Sequence, residues 1–219
     1  MKERIGLFGG TFDPIHLGHL RAAEEVLHSF TLDRILFIPS FIPPHKERKG
    51  MAPAKDRMNM VELACRENPR FSASSLEVDA GERSYSVLTL ARIKGLYPDA
   101  AVFFILGVDA FLEIGMWKDH ERVLNECFFI VLSRPGYRLE EVAGILGGAV
   151  EDRMFAIPGG ERIGEVLPES RRIFLLAIRA LAISATEIRR RVLAGEEIKE
   201  LVSEPVENYI RTHHLYQGA

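Results

Sequence analysis

Apolar and polar residues along this chain follow two periods, which predict alternating strands and helices. Continuous short apolar runs predict strands buried on both faces at Ile5–Phe8, Arg34–Pro39, Ala101–Leu106, Phe128–Leu132 and Ile173–Ile178. Apolar residues spaced three and four apart predict helices over 16–30, 54–67, Tyr85–Leu96, Leu139–Leu146, Ser184–Ala194 and Val206–His213. Between Phe71 and Val78 apolar and polar residues alternate, which predicts one more strand.

This alternation of strand and helix predicts an α/β fold, a doubly wound (Rossmann-like) parallel sheet flanked by helices. A length of 219 residues favours one domain over 1–219, with a small C-terminal helical part at about 184–219. The pattern assigns no element to 147–172, which is rich in Gly, Pro and charge. Ligands of such sheets bind beyond the carboxyl ends of the strands, so the residues that follow the strands are the candidates.

Composition narrows the class of protein. Apolar residues make up 47% and charged residues 27%, as in ordinary globular chains. The net charge of −3 gives no basic field of the kind that binds nucleic acid. Cys65 and Cys127 lack the spacing of a zinc site or a disulfide framework, and they are expected to be buried thiols. Without a signal peptide or a membrane-spanning run, the expected compartment is the cytoplasm, and the oligomeric state is not readable.

The segment GGTFDPIHLGH follows the first predicted strand and leads into the first predicted helix. A glycine turn at Gly9 and Gly10 before a helix start predicts an anion site, built from backbone N–H groups and the helix dipole. His16 and His19 are three residues apart, which places both rings on one side of a helix. Gly18 between them costs about 1 kcal/mol of helix propensity, which indicates that another group packs closely there.

Other candidates follow later strands or open later helices. Gly107-Val108-Asp109 and Ser133-Arg134-Pro135 come after two predicted strands. The glycines of GGTFDPIHLGH do not have the GxGxxG spacing of a dinucleotide fingerprint, and the chain has no GxxxxGK[ST] motif of a P-loop. The Pro-rich turn Pro43-Pro44-His45-Lys46 ends in a lysine that can reach phosphate as a mobile charge. ISATEIR, residues 183–189, predicts a helix capped by Ser or Thr, with an arginine one turn later that can grip phosphate oxygens.

GGTFDPIHLGH resembles the signature of the HxGH nucleotidylyltransferases, and the nicotinate-nucleotide adenylyltransferase family is the branch most similar to the chain. Pro44-His45-Lys46, the segment 84–90 and ISATEIR resemble further elements of that family, and only about 147–172 lacks a clear match. The resemblance implies adenylyl transfer from ATP to nicotinate mononucleotide, giving nicotinate adenine dinucleotide and pyrophosphate. Mg²⁺ is expected to be carried by the ATP phosphates rather than by a protein cage.

The resemblance also implies roles for individual residues, except that Arg134 is expected from its place after a strand end. The expected catalytic residues are His16, His19, Lys46 and Arg189. The expected ATP-binding residues are Gly9, Gly10, Thr11, Phe12, His16, His19, Gly107, Asp109, Arg134, Ser184, Thr186 and Arg189. The expected residues for the nicotinate nucleotide are Lys46, Tyr85, Ser86 and Trp117.

The chain departs from the family pattern at two positions within the matching motifs. Ala185 replaces the middle serine of the second motif, and Ser86 stands where threonine is common. On the residues alone, a single tryptophan such as Trp117 is more often a packing residue than a ligand platform, and Asp109 is alternatively a helix cap.

Three other functions compete with this one. A pantetheine-phosphate adenylyltransferase shares the HxGH motif, although Trp117 and the segment 84–90 argue against it. A nucleotide-binding regulatory module without catalysis is the second, hinted at by Ala185. The third takes His16 and His19 as metal ligands, and their spacing has no obvious third ligand.

Overall fold

The structure is a computed structural model that describes residues 2–43, 50–134, 136–137, 142, 154–157, 172–178 and 181–218. Its strands are β1 (Arg4–Gly10), β2 (Arg34–Pro39), β3 (Phe71–Ala73), β4 (Ala101–Gly107), β5 (Phe128–Leu132), β6 (Met154–Ile157) and β7 (Ile173–Leu176). Its helices are α1 (Leu17–Ser29), α2 (Ala54–Cys65), α3 (Leu76–Ala80), α4 (Ser86–Leu96), α5 (Val108–Leu112), α6 (His120–Glu126), α7 (Ala185–Leu193) and α8 (Glu204–Thr212), with a 3₁₀ turn at Ile114–Met116.

The strands form one seven-stranded sheet in the order β3-β2-β1-β4-β5-β7-β6. The ladders β1–β4, β4–β5, β5–β7 and β6–β7 all run parallel. The order reverses between β1 and β4, as it does in doubly wound sheets, and these two strands end at Gly10 and Gly107. The predicted parallel α/β fold is therefore confirmed.

The chain divides into two compact units. The strand unit comprises Met1–Gly9, Ala22–Leu36 and Tyr85–Ala180, and the histidine unit comprises Gly10–Arg21, Phe37–Ser84 and Leu181–Ala219. In the strand unit, the ring of Phe30 packs against Phe103 and Phe174, with centroids 6.0 and 5.3 Å apart. In the histidine unit α2 packs against α8, whose buried residues include Val206 and Ile210.

Most predicted elements are confirmed within a few residues, because their apolar runs are buried as the pattern requires. The exception is the predicted strand Phe71–Val78, which is wrong beyond Ala73. Residues Leu76–Ala80 form a helix instead, where the Asp79 N–H donates to the Ser75 carbonyl over 2.7 Å. The Ser75 hydroxyl also donates to the Asp79 carboxylate over 2.6 Å, so local hydrogen bonds outweigh the alternating pattern.

Some elements were missed or lie outside the described residues. The sequence assigned nothing to the connection between β4 and β5, which holds α5, the 3₁₀ turn and α6. Within the unassigned segment 147–172, residues Met154–Ile157 form β6, parallel to β7. Except for Val142, the predicted helix Leu139–Leu146 lies outside the described residues.

The cysteine prediction is confirmed, since Cys65 and Cys127 are both free and buried. Burial raises the pKa of each thiol to about 12, which keeps both protonated at neutral pH. Across the described residues, no helix has the combination of length and apolar character that crossing a membrane requires.

Two glycine substitutions test the packing of the strand unit. A Cβ on Gly6, in β1, would lie 2.8 Å from the Ile105 Cδ1 and 2.9 Å from the Leu32 Cδ1. We therefore expect Gly6→Ala to lower the free energy of unfolding by about 1–3 kcal/mol through overpacking. Gly95 in α4 has nothing within 4 Å of that position, so Gly95→Ala should raise the same quantity by up to about 1 kcal/mol. Urea unfolding measures both, and a neutral Gly6→Ala variant contradicts the packing argument.

Candidate active site

We use the name glycine turn for residues 10–16, which connect β1 to α1. One non-glycine residue of this turn has a left-handed backbone conformation. Phe12 has φ of +47°, which is unfavourable for a side chain with a Cβ, and it is only 3% exposed. Its ring lies edge-on to His19, with centroids 5.1 Å apart, and 5.8 Å from the ring of Phe37. A Cβ on Gly10 would lie 3.0 Å from the Phe12 ring, so glycine here makes room for the aromatic side chain.

The two histidines lie together, as their spacing predicted. The rings of His16 and His19 stack with centroids 3.7 Å apart and planes 23° apart. His16 precedes α1 and is buried, while His19 lies in its first turn and is half-buried. A Cβ on Gly18 would lie 3.0 Å from the His16 Nδ1, so the His16 ring is the group that packs against this glycine.

A backbone hydrogen bond fixes the proton position on the His19 ring. The His16 N–H donates to the His19 Nδ1 over 3.3 Å, so Nδ1 acts as an acceptor. In a neutral imidazole the proton then lies on Nε2, which becomes the hydrogen-bond donor of the ring. A neutral His19 ring thus carries its N–H at Nε2.

Two amides of the α1 start are used inside the protein. The Leu17 N–H donates to the Leu201 carbonyl over 2.9 Å, and the His19 N–H donates to the His16 carbonyl over 2.9 Å. These two amides are therefore not available to the anion site that the sequence predicts.

The second motif reaches the glycine turn through Arg189. Ser184 is the N-cap of α7, where its hydroxyl accepts from the Glu187 N–H over 3.2 Å, so the predicted capped helix is confirmed. Arg189 lies on the second turn of α7 and donates to the Asp13 carbonyl over 2.7 Å and to the Thr186 hydroxyl over 3.3 Å. Ala185, where the chain departs from the family pattern, is the first helical residue.

A cluster of charged side chains lies on the surface of α7 and just after its end. The Glu187 carboxylate accepts hydrogen bonds from Arg190 and Arg191, which lower the pKa of this exposed carboxyl to about 2. Arg190 also pairs with Glu196 over 3.0 Å. Arg190 and Arg191 are therefore engaged in ion pairs along the helix surface.

Asp13 is a buried carboxylate within the glycine turn, and the sequence analysis did not single it out. It is 7% exposed, and its Oδ1 accepts from the Ala52 N–H over 3.1 Å and from the Tyr216 hydroxyl over 2.7 Å. Its Oδ2 lies 3.6 Å from the Arg189 guanidinium. Burial and the neighbouring Asp13 raise the pKa of Tyr216, so its hydroxyl keeps the proton it donates.

Arg57 is a second residue that the sequence analysis missed. Its guanidinium is buried and donates to three backbone carbonyls: Thr11 over 2.6 Å, Ala52 over 3.1 Å and Phe41 over 3.1 Å. The residue is 1% exposed. Arg57 lies four residues before Val61 on the apolar face of α2, and an arginine on such a face was a readable signal.

In the strand unit, Asp109 and Arg134 form an ion pair. Asp109 lies in the first turn of α5, not at its N-cap, so the capping alternative is wrong. A Cβ on Gly107 would contact the Asp109 Oδ1, so this glycine lets the carboxylate fold back over the end of β4. Arg134 follows β5 and is exposed.

The residues expected to bind the nicotinate nucleotide lie near the start of α4 and after the 3₁₀ turn. Tyr85 is the N-cap of α4, and Ser86 is its first residue. Trp117 is half-buried and edge-on to Phe104, with centroids 5.9 Å apart. The Lys118 ammonium lies 4.9 Å from the centre of the Tyr85 ring, which brings Tyr85 and the residue after Trp117 together.

The roles expected of all the site residues stay predictions, and so does the expected Mg²⁺. Lys46 lies outside the described residues, as do Pro44 and His45. Within the part of the chain that the structure describes, no group of three His, Cys, Asp or Glu side chains could hold a metal ion. The carboxylate of Asp13 in the glycine turn accepts hydrogen bonds from Ala52 and Tyr216, and the Arg189 guanidinium lies beside it.

The chain is similar to known proteins both in sequence and in fold. A cytidylyltransferase-like family model matches residues 7–191. A curated relative from Desulfatibacillum aliphaticivorans, named "Probable nicotinate-nucleotide adenylyltransferase", is 43% identical over 218 residues, covering 97% of this chain and 99% of the relative. A relative of the same name from Geobacter sulfurreducens is 39% identical over 213 residues, covering 97% and 98%.

One solved structure with a similar fold is the nicotinic acid mononucleotide adenylyltransferase of Plasmodium falciparum, complexed with NaAD. It superposes with a TM-score of 0.74, covering 98% of this chain and 97% of that one. The two sequences are 20% identical, so this likeness shows a shared fold and nothing about function.

Replacing Arg57 tests what holds the glycine turn. Arg57→Met leaves the Thr11, Phe41 and Ala52 carbonyls without their buried donor, so we expect the free energy of unfolding to fall by about 3 kcal/mol or more. Arg66→Met is the matched control, because Arg66 is exposed at the end of the same helix, and its effect should stay within about 0.5 kcal/mol. Equal effects of the two variants in chemical denaturation contradict the role given to Arg57.

Proposed function

The chain belongs to the nicotinate-nucleotide adenylyltransferase family of cytidylyltransferase-like proteins, and we propose that it transfers the adenylyl group of ATP to nicotinate mononucleotide. The phosphate oxygen of the mononucleotide forms a bond to the α-phosphorus of ATP. The bond from that phosphorus to the bridging oxygen breaks, and pyrophosphate leaves. The products are nicotinate adenine dinucleotide and pyrophosphate, as the names of the full-length relatives support.

The stacked pair of His16 and His19 at the start of α1 is the observation that carries the proposal. Direct transfer between phosphates needs no covalent enzyme intermediate, and it is accelerated by positioning and by stabilising charge in the transition state. The His19 ring, with Nδ1 accepting from the His16 N–H, is set to donate from Nε2 to a phosphate oxygen as charge develops.

Arg189, which contacts the glycine turn at Asp13, is proposed to grip the triphosphate. Its guanidinium is already held by the Asp13 carbonyl and the Thr186 hydroxyl, which fixes the plane of the group before a ligand arrives. The Ser184 and Thr186 hydroxyls open the same helix, where the dipole favours an anion. Lys46 is proposed to add a mobile positive charge.

The remaining roles belong to the strand unit. Asp109 is proposed to accept from a ribose hydroxyl of the nucleotide, and Arg134, its ion-pair partner, to contact the triphosphate. Tyr85, Ser86 and Trp117 are proposed to recognise the nicotinate ring and its carboxylate. A site whose polar groups match a carboxylate rejects an amide analogue that leaves those groups unpaired.

Mg²⁺ is proposed to enter with ATP, held by the phosphates and by water. This proposal fits the one carboxylate of the glycine turn, Asp13. Its oxygens accept from Ala52 and Tyr216 and lie near Arg189, so they are engaged within the protein. The ion would offset phosphate charge, and it needs no protein cage for that purpose.

Pyrophosphate release from ATP and Mg²⁺ tests the function, with nicotinate mononucleotide, nicotinamide mononucleotide and phosphopantetheine as parallel acceptors. We expect the nicotinate form to be strongly preferred. Turnover with phosphopantetheine alone would keep the HxGH chemistry and reject the proposed acceptor. ATP binding without pyrophosphate release from any acceptor would make the chain a regulatory module.

Replacing His19 tests the proposed transition-state donor. His19→Ala should lower kcat about 10²–10³-fold, the loss usual for one such donor. His28→Ala is the matched control, since His28 lies in the last turn of the same helix, and its kcat should stay within about twofold of the parent value. Near-normal turnover by a folded His19→Ala variant rejects the role.

A further inference from the structure

Two tyrosines near the end of the chain each donate a hydrogen bond to a distant aspartate of the histidine unit. The Tyr209 hydroxyl, in α8, donates to the Asp56 carboxylate over 2.8 Å and accepts from the Asn59 side chain over 2.7 Å. The Tyr216 hydroxyl donates to the Asp13 carboxylate over 2.7 Å. The first bond joins two helices, α8 and α2, whereas the second ends in the glycine turn.

The segment after α8 adopts unfavourable backbone conformations on its way to Asp13. His214 has φ of +51° and Tyr216 has φ of +64°, and both are side chains that seldom occupy the left-handed region. Such conformations persist where the surrounding contacts outweigh their strain. The Tyr216 hydroxyl on Asp13 is one such contact.

The turn that Tyr216 reaches is itself strained and holds the candidate site. Phe12 has φ of +47°, immediately before Asp13. The side chain of Asp13 is fixed at Oδ1 by Tyr216 and by the Ala52 N–H, while its carbonyl accepts from Arg189 over 2.7 Å. Asp13 therefore connects Tyr216 to Arg189, and His16 follows three residues later.

We infer that Tyr216 is a positioning residue for adenylyl transfer, which holds Asp13 so that its carbonyl orients Arg189 and the turn presents His16 and His19. This inference rests on the proposed function. Tyr216 acts through Asp13 and is not proposed to touch either nucleotide. The 2.7 Å bond from its hydroxyl to a carboxylate inside the anion site is the observation behind it.

The test compares Tyr216→Phe with Tyr209→Phe, which removes a hydroxyl that donates to a different aspartate, Asp56, outside the glycine turn. Both variants should lower Tm by a similar amount, about 3–6 °C. Tyr216→Phe should also lower kcat about 10- to 100-fold, with KM for nicotinate mononucleotide within about twofold, because the transition state suffers most from a displaced turn. Tyr209→Phe should keep kcat within about twofold of the parent enzyme.

A second measurement shows whether the effect passes through Asp13. In an Asp13→Ala background, Tyr216→Phe should cause no further loss of kcat, since the hydroxyl no longer has its partner. Equal kcat for the parent and Tyr216→Phe overturns the inference, as does an undiminished effect of Tyr216→Phe in the Asp13→Ala background.

A third measurement separates this inference from the proposed function. The ¹⁵N signals of the His16 and His19 rings should shift in Tyr216→Phe and stay in place in Tyr209→Phe. This readout needs no turnover. If the parent chain fails to release pyrophosphate, the proposed function is rejected, while unshifted ring signals in Tyr216→Phe overturn the positioning role whatever the activity.

Discussion

The guanidinium of Arg57, buried among three backbone carbonyls, is the interaction on which the rest of the histidine unit depends. It binds Thr11 of the glycine turn, Phe41 after β2 and Ala52 before α2, and it is 1% exposed. The planar fork of arginine can serve several acceptors at once, which the single ammonium of lysine cannot do in the same geometry. Three separate loops are thereby tied to one side chain.

A buried carboxylate needs donors that compensate for its lost hydration, and Asp13 has them. Two donors, the Ala52 N–H and the Tyr216 hydroxyl, bind its Oδ1, and the Arg189 guanidinium lies 3.6 Å from its Oδ2. The carboxylate of Asp13 thus stabilises the turn. Arg189 in turn is oriented by the Asp13 carbonyl, so the residue proposed to bind phosphate is positioned by the loop it helps to stabilise.

The glycines of the motifs serve packing as well as ligand approach. Gly10 leaves space for the ring of Phe12, Gly18 for the ring of His16, and Gly107 for the carboxylate of Asp109. In each case the absent Cβ lets a nearby side chain of the same motif fold back. A motif of this kind is therefore a packing unit whose spacing is set by contacts between its own residues.

The sequence by itself determined most of the strands and helices and the motifs, because both depend on neighbours along the chain. Apolar runs such as Phe128–Leu132 fixed the strands, and the order of strands and helices fixed the parallel sheet. The spacing of His16 and His19 predicted that their rings lie together, and Ser184 predicted the start of α7. Where periodicity failed, at Phe71–Val78, hydrogen bonds between Ser75 and Asp79 decided the structure.

Only the tertiary structure decided how the motifs are held, because those contacts join residues far apart in sequence. Tyr216 and Asp13 are 203 positions apart, and Arg189 and Asp13 are 176 apart. No local period records such a pair, and the partner of a buried polar group depends on which loops the fold brings together. The candidate residues of the site could therefore be identified from local motifs. Their arrangement depends on the long-range hydrogen bonds of Arg57, Asp13 and Tyr216.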